Sequence, residues 1–448
     1  MSNSKQQPVT QNRILLLLLA LTLIRGLIYA SVTIPWWQGH DEEYHFAQTK
    51  WLIDQWTTTP PNLDQNWTQE MIASFAAFPM SRWTLSPERQ PNLVNISDRY
   101  ANLKRPSLSY YPYAWFGYFL TQQDILSQLF ALRLVSVLIT CGTILFAFLS
   151  ARQIFSDSLM AQILVPWLIV FNPSFMVINS TVNDGNLAVL LSTIIFYLLL
   201  REITQHHVGW RSALAFGLTL LTLWTEPTAH FLLPVWGVLI FAQAWKLNWK
   251  YWLWGGIIGA LSITLIFLFP SRLPDMIAAY RQYNVSVEGI AYVLSSQYFW
   301  DVFSGFWIIL GFFVYRLDQV WYTILLIFAS LAVIGLLIYI WSFLKRRSLV
   351  LSTEQKSLLF SLLFAGMSIT ILVGLAILRY EEKEGRLARY VFPAIVPLSI
   401  LMVTGWRVLL PTIWRNAGLL FLAGGLFLFD TMVWLNYAVP WYYPFWPH

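Results

Sequence analysis

Runs of about 18 or more apolar residues recur along the chain and alternate with polar segments. That length lets an α-helix cross the hydrocarbon core of a bilayer. We therefore predict an all-α polytopic membrane protein with about eleven transmembrane helices. The predicted spans are 14–34, 127–150, 159–179, 185–200, 212–226, 228–245, 250–270, 320–344, 357–378, 390–410 and 416–437.

The composition agrees with this pattern of spans. Of the 448 residues, 57% are hydrophobic and 11% are charged, whereas about a quarter of the residues in soluble domains are charged. This excludes a soluble enzyme, a disordered protein and a nucleic-acid-binding domain. The lone cysteine, Cys141, excludes an intramolecular disulfide framework.

The distribution of charge predicts the orientation in the membrane. With the N-terminus in the cytoplasm, the inner segments hold 13 basic and 3 acidic residues, which follows the positive-inside rule. A twelfth span at 108–120 or at 298–315 would invert every loop after it, so the count favours eleven. The segment 14–34 could be a signal peptide, but its length and the interruption by Arg25 favour a retained helix.

We predict a single membrane domain, 1–448, with two long outer segments. The first, 35–126, begins with an amphipathic helix at 41–56. Its apolar stripe carries Tyr44, Ala47 and Trp51, and its polar stripe carries Asp41, His45 and Gln48. It ends in the aromatic stretch 107–120, which we expect to be an interfacial helix. The second outer segment is 271–319.

Three consecutive carboxylates follow the first span in the sequence His40-Asp41-Glu42-Glu43-Tyr44-His45. Acids at the start of a helix suit the helix dipole, so a capping role is one interpretation. Because like charges repel, such crowding also indicates a catalytic or ligand-binding role for Asp41 and Glu42. A metal site formed by His40, Asp41 and His45 is a further alternative.

A second polar motif, Asn183-Asp184-Gly185, lies at the outer end of the third span. The predicted topology places Asp184 on the same membrane face as Asp41. Two acids at one face can have different roles: one can orient the other, or one can hold an acceptor while the other takes its proton. A cap for the next helix is the structural alternative. Glu226, before Pro227 at an outer turn, is interpreted chiefly as a cap.

The outer segment 379–393 carries basic residues where the positive-inside rule expects few. Pairing with the neighbouring acids is one explanation, and binding of an anionic head group, phosphate above all, is the other. The candidates for binding substrate or lipid phosphate on this face are Lys104, Arg105, Lys383, Arg386, Arg389, Tyr390 and His45.

Charges inside the predicted spans form a separate class, because an unpaired charge in the hydrocarbon core is costly. Arg25 and Asp430 lie at similar depth when residues are counted from the inner ends. We predict a structural ion pair between them, with a lipid-phosphate groove as the alternative. Arg133 also lies within an apolar run.

Several short motifs together resemble the GT-C superfamily of membrane glycosyltransferases. They are Asp41-Glu42 after the first span, Arg105-Pro106 followed by Tyr110-Tyr111-Pro112, Arg133 near the start of the second span, Asn183-Asp184, and Gly385-Arg386 with Arg389-Tyr390-Val391-Phe392-Pro393. The chain is similar to an uncharacterised bacterial branch and, more distantly, to protein O-mannosyltransferases and lipid A aminoarabinose transferases. Leu387 and Ala388 interrupt the last motif, which leaves open which arginine, Arg386 or Arg389, binds phosphate.

The resemblance implies transfer of a sugar from a polyprenyl-phosphate donor to a glycan, lipid or protein acceptor on the outer face of a bacterial plasma membrane. Asp41 would be the general base with Glu42 beside it, and Asp184 would be the second acid. A monophosphate donor requires no metal, whereas a diphosphate donor would favour a divalent cation. The alternatives are a transporter or flippase for a lipid-linked or anionic substrate, and a non-catalytic envelope assembly protein.

Overall fold

The structure is a computed structural model that describes residues 6–56, 70–71, 73–74, 106–205, 209–243, 286–310, 315–345, 352–378 and 388–443. Within these ranges the regular structure is helical, apart from one β-bridge between Leu310 and Tyr315. The all-α prediction is confirmed for this part of the chain.

We number the α-helices in chain order. They are α1 Gln6–Ile28, α2 Glu42–Trp56, α3 Tyr110–Tyr118, α4 Ile125–Ile154, α5 Leu159–Val170, α6 Pro173–Asn179, α7 Gly185–Gln205, α8 Trp210–Thr222, α9 Leu232–Gln243, α10 Val287–Val293, α11 Ser296–Trp307, α12 Gln319–Lys345, α13 Thr353–Leu378, α14 Ile395–Leu409, α15 Arg415–Val433 and α16 Val439–Tyr442. Short π-helical turns, Tyr29–Thr33 and Trp434–Ala438, follow α1 and α15. 3-10 helices, Pro227–Phe231 and Ala388–Ala394, precede α9 and α14.

Seven helical stretches of the described residues are long and apolar enough to cross a membrane. They are Thr10–Thr33, Ile125–Ile154, Gly185–Gln205, Gln319–Lys345, Thr353–Leu378, Ala388–Leu409 and Arg415–Tyr442. The pair α5 and α6, bent by 61°, adds an eighth if it is one broken span. These elements overlap eight of the predicted spans, so the protein is a polytopic membrane protein.

The predicted count of eleven is not confirmed. Helix α8 has 13 residues and α9 has 12, so both are shorter than the predicted spans 212–226 and 228–245. The predicted span 250–270 lies outside the described residues. At the two places considered for a twelfth span, α3 and α11 have 9 and 12 residues and are too short to cross.

Helix α2 matches the predicted amphipathic helix in position but not in environment. Nine of its 15 residues are buried. They include His45 and Gln48 on the stripe that was predicted to be polar and Ala47 on the apolar stripe. Helix α3 is one-sided, as expected of an interfacial helix: Tyr110 is buried, whereas Trp115 is 66% exposed.

The break between α5 and α6 is stabilised by polar contacts within the membrane. The side chain of Asn172 caps α6, and Arg25 Nε donates to the carbonyl oxygen of Val170 at 3.3 Å. Arg25 also forms an ion pair with Asp430, which accepts a hydrogen bond from Tyr29 at 2.9 Å. The predicted Arg25–Asp430 pair is confirmed, and its arginine also satisfies the carbonyl oxygen of Val170 at the end of α5.

Ion pairs form at both ends of the membrane-spanning helices. Each end brings together residues that the charge count assigned to the same membrane face. At one end Arg407 pairs with Asp157, and its Nη1 lies 3.9 Å from Oε1 of Glu354. At the other end Arg389 lies 3.5 Å from Asp41. The alternation of the spans that separate these residues is therefore consistent with the structure. Which end faces the cytoplasm stays a prediction.

Helices α12 and α14 cross with their backbones in contact. A Cβ added at Gly335 would overlap the carbonyl group of Gly405, and one added at Gly405 would overlap that of Ala332. We expect Gly335→Ala to lower the free energy of unfolding by about 1–3 kcal/mol, because the helices must separate. Thermal unfolding in detergent measures this. The control is Gly366→Ala on α13, where no described atom lies within 4 Å, and equal shifts for both variants would contradict the prediction.

Candidate functional site

The segment before α2 has a constrained backbone. Asp41 and Trp37 have φ angles of 53° and 63°, in the left-handed region that non-glycine residues rarely adopt. Trp37 is fully buried and packs edge-on against Phe46, with 5.2 Å between the centres of the two rings. Gly39 lies so close to Thr181 that an added Cβ would be 2.7 Å from the Cβ of Thr181. Strained backbone of this kind occurs at functional sites, where the surrounding structure holds it in place.

Asp41 stands at the start of α2 with its side chain facing solvent. Its backbone oxygen accepts a hydrogen bond from the amide of His45 at 3.0 Å, and its side chain is 52% exposed. The Oδ2 atom lies 3.5 Å from Nη2 of Arg389. Asp41 therefore occupies the predicted helix start and also presents an accessible carboxylate beside an arginine.

Glu42, predicted to be catalytic, is sealed in the interior. Both its side chain and that of Arg133 are 0% exposed. Arg133 Nε donates to Oε1 of Glu42 at 2.8 Å, and Nη2 donates to Oε2 at 2.6 Å. The amide of Val182 donates to Oε1 at 3.1 Å, and Arg133 makes three more bonds to backbone carbonyl oxygens between positions 30 and 35. Glu42 thus anchors the segment that carries Asp41.

Asp184 lies between α6 and α7, and the capping role falls to its neighbour. The Oδ1 atom of Asn183 accepts from the amide of Gly185 at 2.8 Å. Asp184 instead accepts from the hydroxyl of Tyr110 at 3.4 Å. Its other oxygen is 3.9 Å from Nε2 of His45, and its side chain is 23% exposed.

His45, predicted to bind substrate, is buried beside this second acid. Its Nδ1 is 2.8 Å from the hydroxyl oxygen of Tyr110, and its Nε2 is 3.2 Å from Nδ2 of Asn183. The described contacts of His45 therefore serve the surroundings of Asp184.

The side chain of Tyr113 holds the turn that carries Asp184 in place. Its hydroxyl donates to the backbone oxygen of Asn183 at 3.2 Å and lies 2.9 Å from Oγ of Ser136. Burial raises the pKa of Tyr113 to about 12, so the hydroxyl stays neutral across the physiological range. The turn is thereby tied to both α3 and α4.

Arg389 and Tyr390 lie in the 3-10 helix before α14 and form the basic part of the site. The guanidinium carbon of Arg389 is 5.4 Å from the centre of the Tyr390 ring. The Arg389 side chain is 14% exposed. Among the described residues, its Nη1 atom has no hydrogen-bond partner although it is buried. The guanidinium therefore has a donor for a further acceptor.

A third carboxylate, Glu226, contributes to the electrostatic environment of Arg389 and Tyr390. It directly precedes the 3-10 helix Pro227–Phe231, but its side chain makes no capping hydrogen bond there. Glu226 therefore occupies the predicted cap position, where its backbone oxygen accepts from the amide of Ala229 at 3.0 Å, but its carboxylate does not serve as the cap. The hydroxyl of Ser107 ties this turn to the start of α3 through the carbonyl oxygen of Thr225 at 2.6 Å.

The structure thus brings together Asp41, Asp184, His45, Arg389 and Tyr390, and it withdraws Glu42 into the interior. The predicted phosphate ligands Lys104, Arg105, Lys383 and Arg386 lie outside the described residues. No group of three or more His, Cys, Asp or Glu side chains that could hold a metal ion exists within the described ranges. The alternative of a metal site at His40, Asp41 and His45 is therefore not supported.

Two contributions to the site were not predicted from the sequence. Arg133 was placed in an apolar run and in a family motif without a partner, and Tyr110 was named only within an aromatic motif, without a contact to the acids. The cost of an unpaired arginine within a span was the available signal for Arg133, since the nearby acids at 41–43 offer a partner. No sequence signal distinguishes Tyr110 from Tyr111.

No protein-family model matches the chain, and no curated protein matches it.

Proposed function

We propose that this protein is a membrane glycosyltransferase of the GT-C type. It would transfer a sugar from a polyprenyl-phosphate donor to a glycan, lipid or protein acceptor at the outer face of a bacterial plasma membrane. The observation that carries the proposal is the meeting of an exposed carboxylate, Asp41, with the largely buried Arg389 at 3.5 Å. These residues come from remote parts of the chain, and Asp184 lies in the same cluster.

The chemistry assigned to Asp41 is general base catalysis. Its carboxylate accepts the proton of an acceptor hydroxyl while the hydroxyl oxygen attacks the anomeric carbon of the donor sugar. The bond between that carbon and the phosphate oxygen breaks, and its electron pair leaves with the phosphate. A single displacement of this kind inverts the configuration at the anomeric carbon.

Arg389 is assigned to the leaving phosphate. A separation of 3.5 Å from Asp41 is long for a charge-assisted hydrogen bond. A phosphate can therefore compete for the same guanidinium, and the nitrogen without a partner adds a donor. Stabilisation of the departing anion by a preorganised cation replaces protonation by a general acid.

A monophosphate donor is compatible with this scheme without a metal, and no step here is routed through one. A diphosphate donor would favour a divalent cation near Asp41 and Asp184. Removing divalent cations with a chelator during the transfer assay separates these two donor classes.

A transporter or flippase is the second candidate, because one observation favours it. Transporters often use broken helices with charges near the middle of the membrane, and α5 and α6 are bent by 61° beside the Arg25–Asp430 pair. Against this, Asp430 is 1% exposed and already bonded to Arg25 and Tyr29. The Arg25–Asp430 pair therefore fits a structural role better than a role in substrate transport.

The test is a transfer assay with purified protein in detergent or proteoliposomes. A panel of radiolabelled polyprenyl-monophosphate and polyprenyl-diphosphate sugars is mixed with crude envelope acceptors. We expect label to move from at least one donor to an acceptor. No transfer from any donor by folded protein, together with movement of a labelled lipid-linked sugar between leaflets, would replace the proposal with the flippase.

We expect Arg389→Lys to raise the KM for the donor by about 10-fold to 100-fold, because lysine cannot form the forked hydrogen bonds to phosphate. The kcat falls as well, since the leaving anion is less stabilised. The control is Arg316→Lys, where the arginine pairs with Asp301 at 2.6 Å. Equal kinetics for wild type and Arg389→Lys would assign the phosphate to another residue.

A further inference from the structure

Hydrogen-bonding distances link Asn183 to His45, His45 to Tyr110, and Tyr110 to Asp184. We propose that Asn183, His45 and Tyr110 form a chain of donors that ends on Asp184 and fixes its orientation. In this arrangement Asp184 binds and orients a substrate hydroxyl, and Asp41 takes the proton. The chain is a property of the protein alone, whereas the division of labour rests on the proposed function.

The amide of Asn183 sets the direction of the chain. Its Oδ1 atom accepts from the backbone amide of Gly185 at 2.8 Å. The opposite orientation would place the side-chain NH2 against that N–H, with two donors facing each other. The Nδ2 group therefore faces Nε2 of His45 at 3.2 Å.

The imidazole of His45 has to match this donor. Since Nδ2 of Asn183 donates, Nε2 of His45 is the acceptor and carries no proton. The remaining ring proton is on Nδ1, and the ring is the neutral Nδ1–H tautomer. That proton points at the hydroxyl oxygen of Tyr110, 2.8 Å away.

The hydroxyl of Tyr110 is the next donor in the chain, and Asp184 is its acceptor. Its hydroxyl oxygen accepts from His45, so its own hydrogen is directed elsewhere. The Oδ2 atom of Asp184 lies 3.4 Å from that oxygen. His45 and Tyr110 are both buried, which preserves this geometry against competition from water.

The two acids of the site are therefore not equivalent. One oxygen of Asp184 is held by Tyr110, and only 23% of the side chain is exposed. Asp41 has 52% of its side chain exposed and stands at the start of a helix. A held carboxylate suits orientation of a substrate hydroxyl, and a more open one suits proton transfer. His45 and Tyr110 are positioning residues in this assignment.

The first arm of the test needs no substrate. The chain has six histidines, and solid-state NMR of protein labelled with nitrogen-15 at histidine reports the tautomer of each ring. The loss of one signal in His45→Gln identifies His45. We expect the Nδ1–H tautomer in the wild type, and an Nε2–H or doubly protonated ring would overturn the chain.

The variant Asn183→Ala removes the donor that fixes the tautomer. We expect the proton of His45 to move to Nε2, where an oxygen of Asp184 lies 3.9 Å away. The matched control is Asn186→Ala. It breaks the hydrogen bonds from Asn186 to Tyr113 and Thr181 but keeps Nδ2 of Asn183 against Nε2 of His45. An unchanged tautomer in Asn183→Ala would show that Asn183 does not set the direction.

The second arm tests the division of labour by kinetics. We expect Tyr110→Phe to raise the KM for the acceptor about fivefold, because the Asp184 carboxylate loses the hydrogen bond that fixes its orientation, with little change in kcat. Tyr118→Phe is the control, because Tyr118 is on the same helix and 43% exposed. A fall in kcat with unchanged KM would make Asp184 the proton acceptor and overturn the assignment.

The two arms separate failure of this inference from failure of the proposed function. If no sugar donor supports transfer, both the proposed glycosyltransferase activity and the assigned roles of Asp41 and Asp184 are contradicted. The NMR result then still tests the hydrogen-bond chain. If transfer is active and His45 carries its proton on Nε2, the enzyme stands and the chain is refuted.

Discussion

Asp41→Asn is expected to reduce sugar transfer by about 100-fold to 10,000-fold, which is the usual contribution of a general base. The amide of asparagine cannot accept the proton of the attacking hydroxyl. Because Asp41 takes part in the chemical step, the loss should appear in kcat under saturating donor. The measurement is the initial rate of label transfer in the assay described above.

The substitution should leave the protein folded, which makes a loss of activity interpretable. The Asp41 side chain is 52% exposed, and asparagine tolerates a φ of 53° as readily as aspartate does. Alanine at this position would add backbone strain. Asp54→Asn is the control, because Asp54 lies on the same helix and pairs with Lys50 at 3.5 Å. Equal transfer by wild type and Asp41→Asn would remove Asp41 as the base and keep the class of enzyme open.

Features that depend on depth in the membrane could be predicted from the sequence. A helix rises about 1.5 Å per residue, so counting from the inner ends placed Arg25 and Asp430 at one level, and they do form an ion pair. The alternation of the predicted spans placed Asp41, Asp184 and Arg389 at one face, and these residues do lie in one cluster.

Which side chains around a helix are buried could not be predicted by counting residues along the chain. The periodicity of 41–56 suggested one polar and one apolar stripe, but α2 is buried on both. His45, on the polar stripe, is buried because it finds partners in Tyr110 and Asn183. Those partners come from distant parts of the chain, and apolar periodicity carries no information about them.

The shortening of two predicted spans has a local cause. Residues 223–225 form a turn between α8 and the 3-10 helix Pro227–Phe231, with the amide of Trp224 bonded to the oxygen of Leu221 at 3.1 Å. Pro227 cannot donate a backbone hydrogen bond and begins the 3-10 helix, so α8 cannot continue through it into α9. Hydropathy showed the apolar stretch on each side of the turn, but it did not fix how long each helix would be.

Arg133→Met is expected to destabilise the protein by about 3–5 kcal/mol, because it leaves the carboxylate of Glu42 buried without its counter-charge. Three carbonyl oxygens between positions 30 and 35 also lose their donor. The control is Arg152→Met, since Arg152 is near the other end of α4 and no ion pair of it is found among the described residues. The measurement is the midpoint of thermal unfolding in detergent, and similar shifts for both variants would contradict the prediction.

A double variant separates the charge of Glu42 from the backbone contacts of Arg133. Adding Glu42→Gln to Arg133→Met removes the buried charge and keeps an oxygen for the amide of Val182, which now donates to Glu42 at 3.1 Å. We expect a partial recovery of stability, because the carbonyl oxygens at 30–35 stay without their donor. The segment that carries Asp41 would remain loosely held in this variant, so transfer activity should recover less than stability does. Full recovery of both would mean that the pair serves charge balance alone and does not position the site.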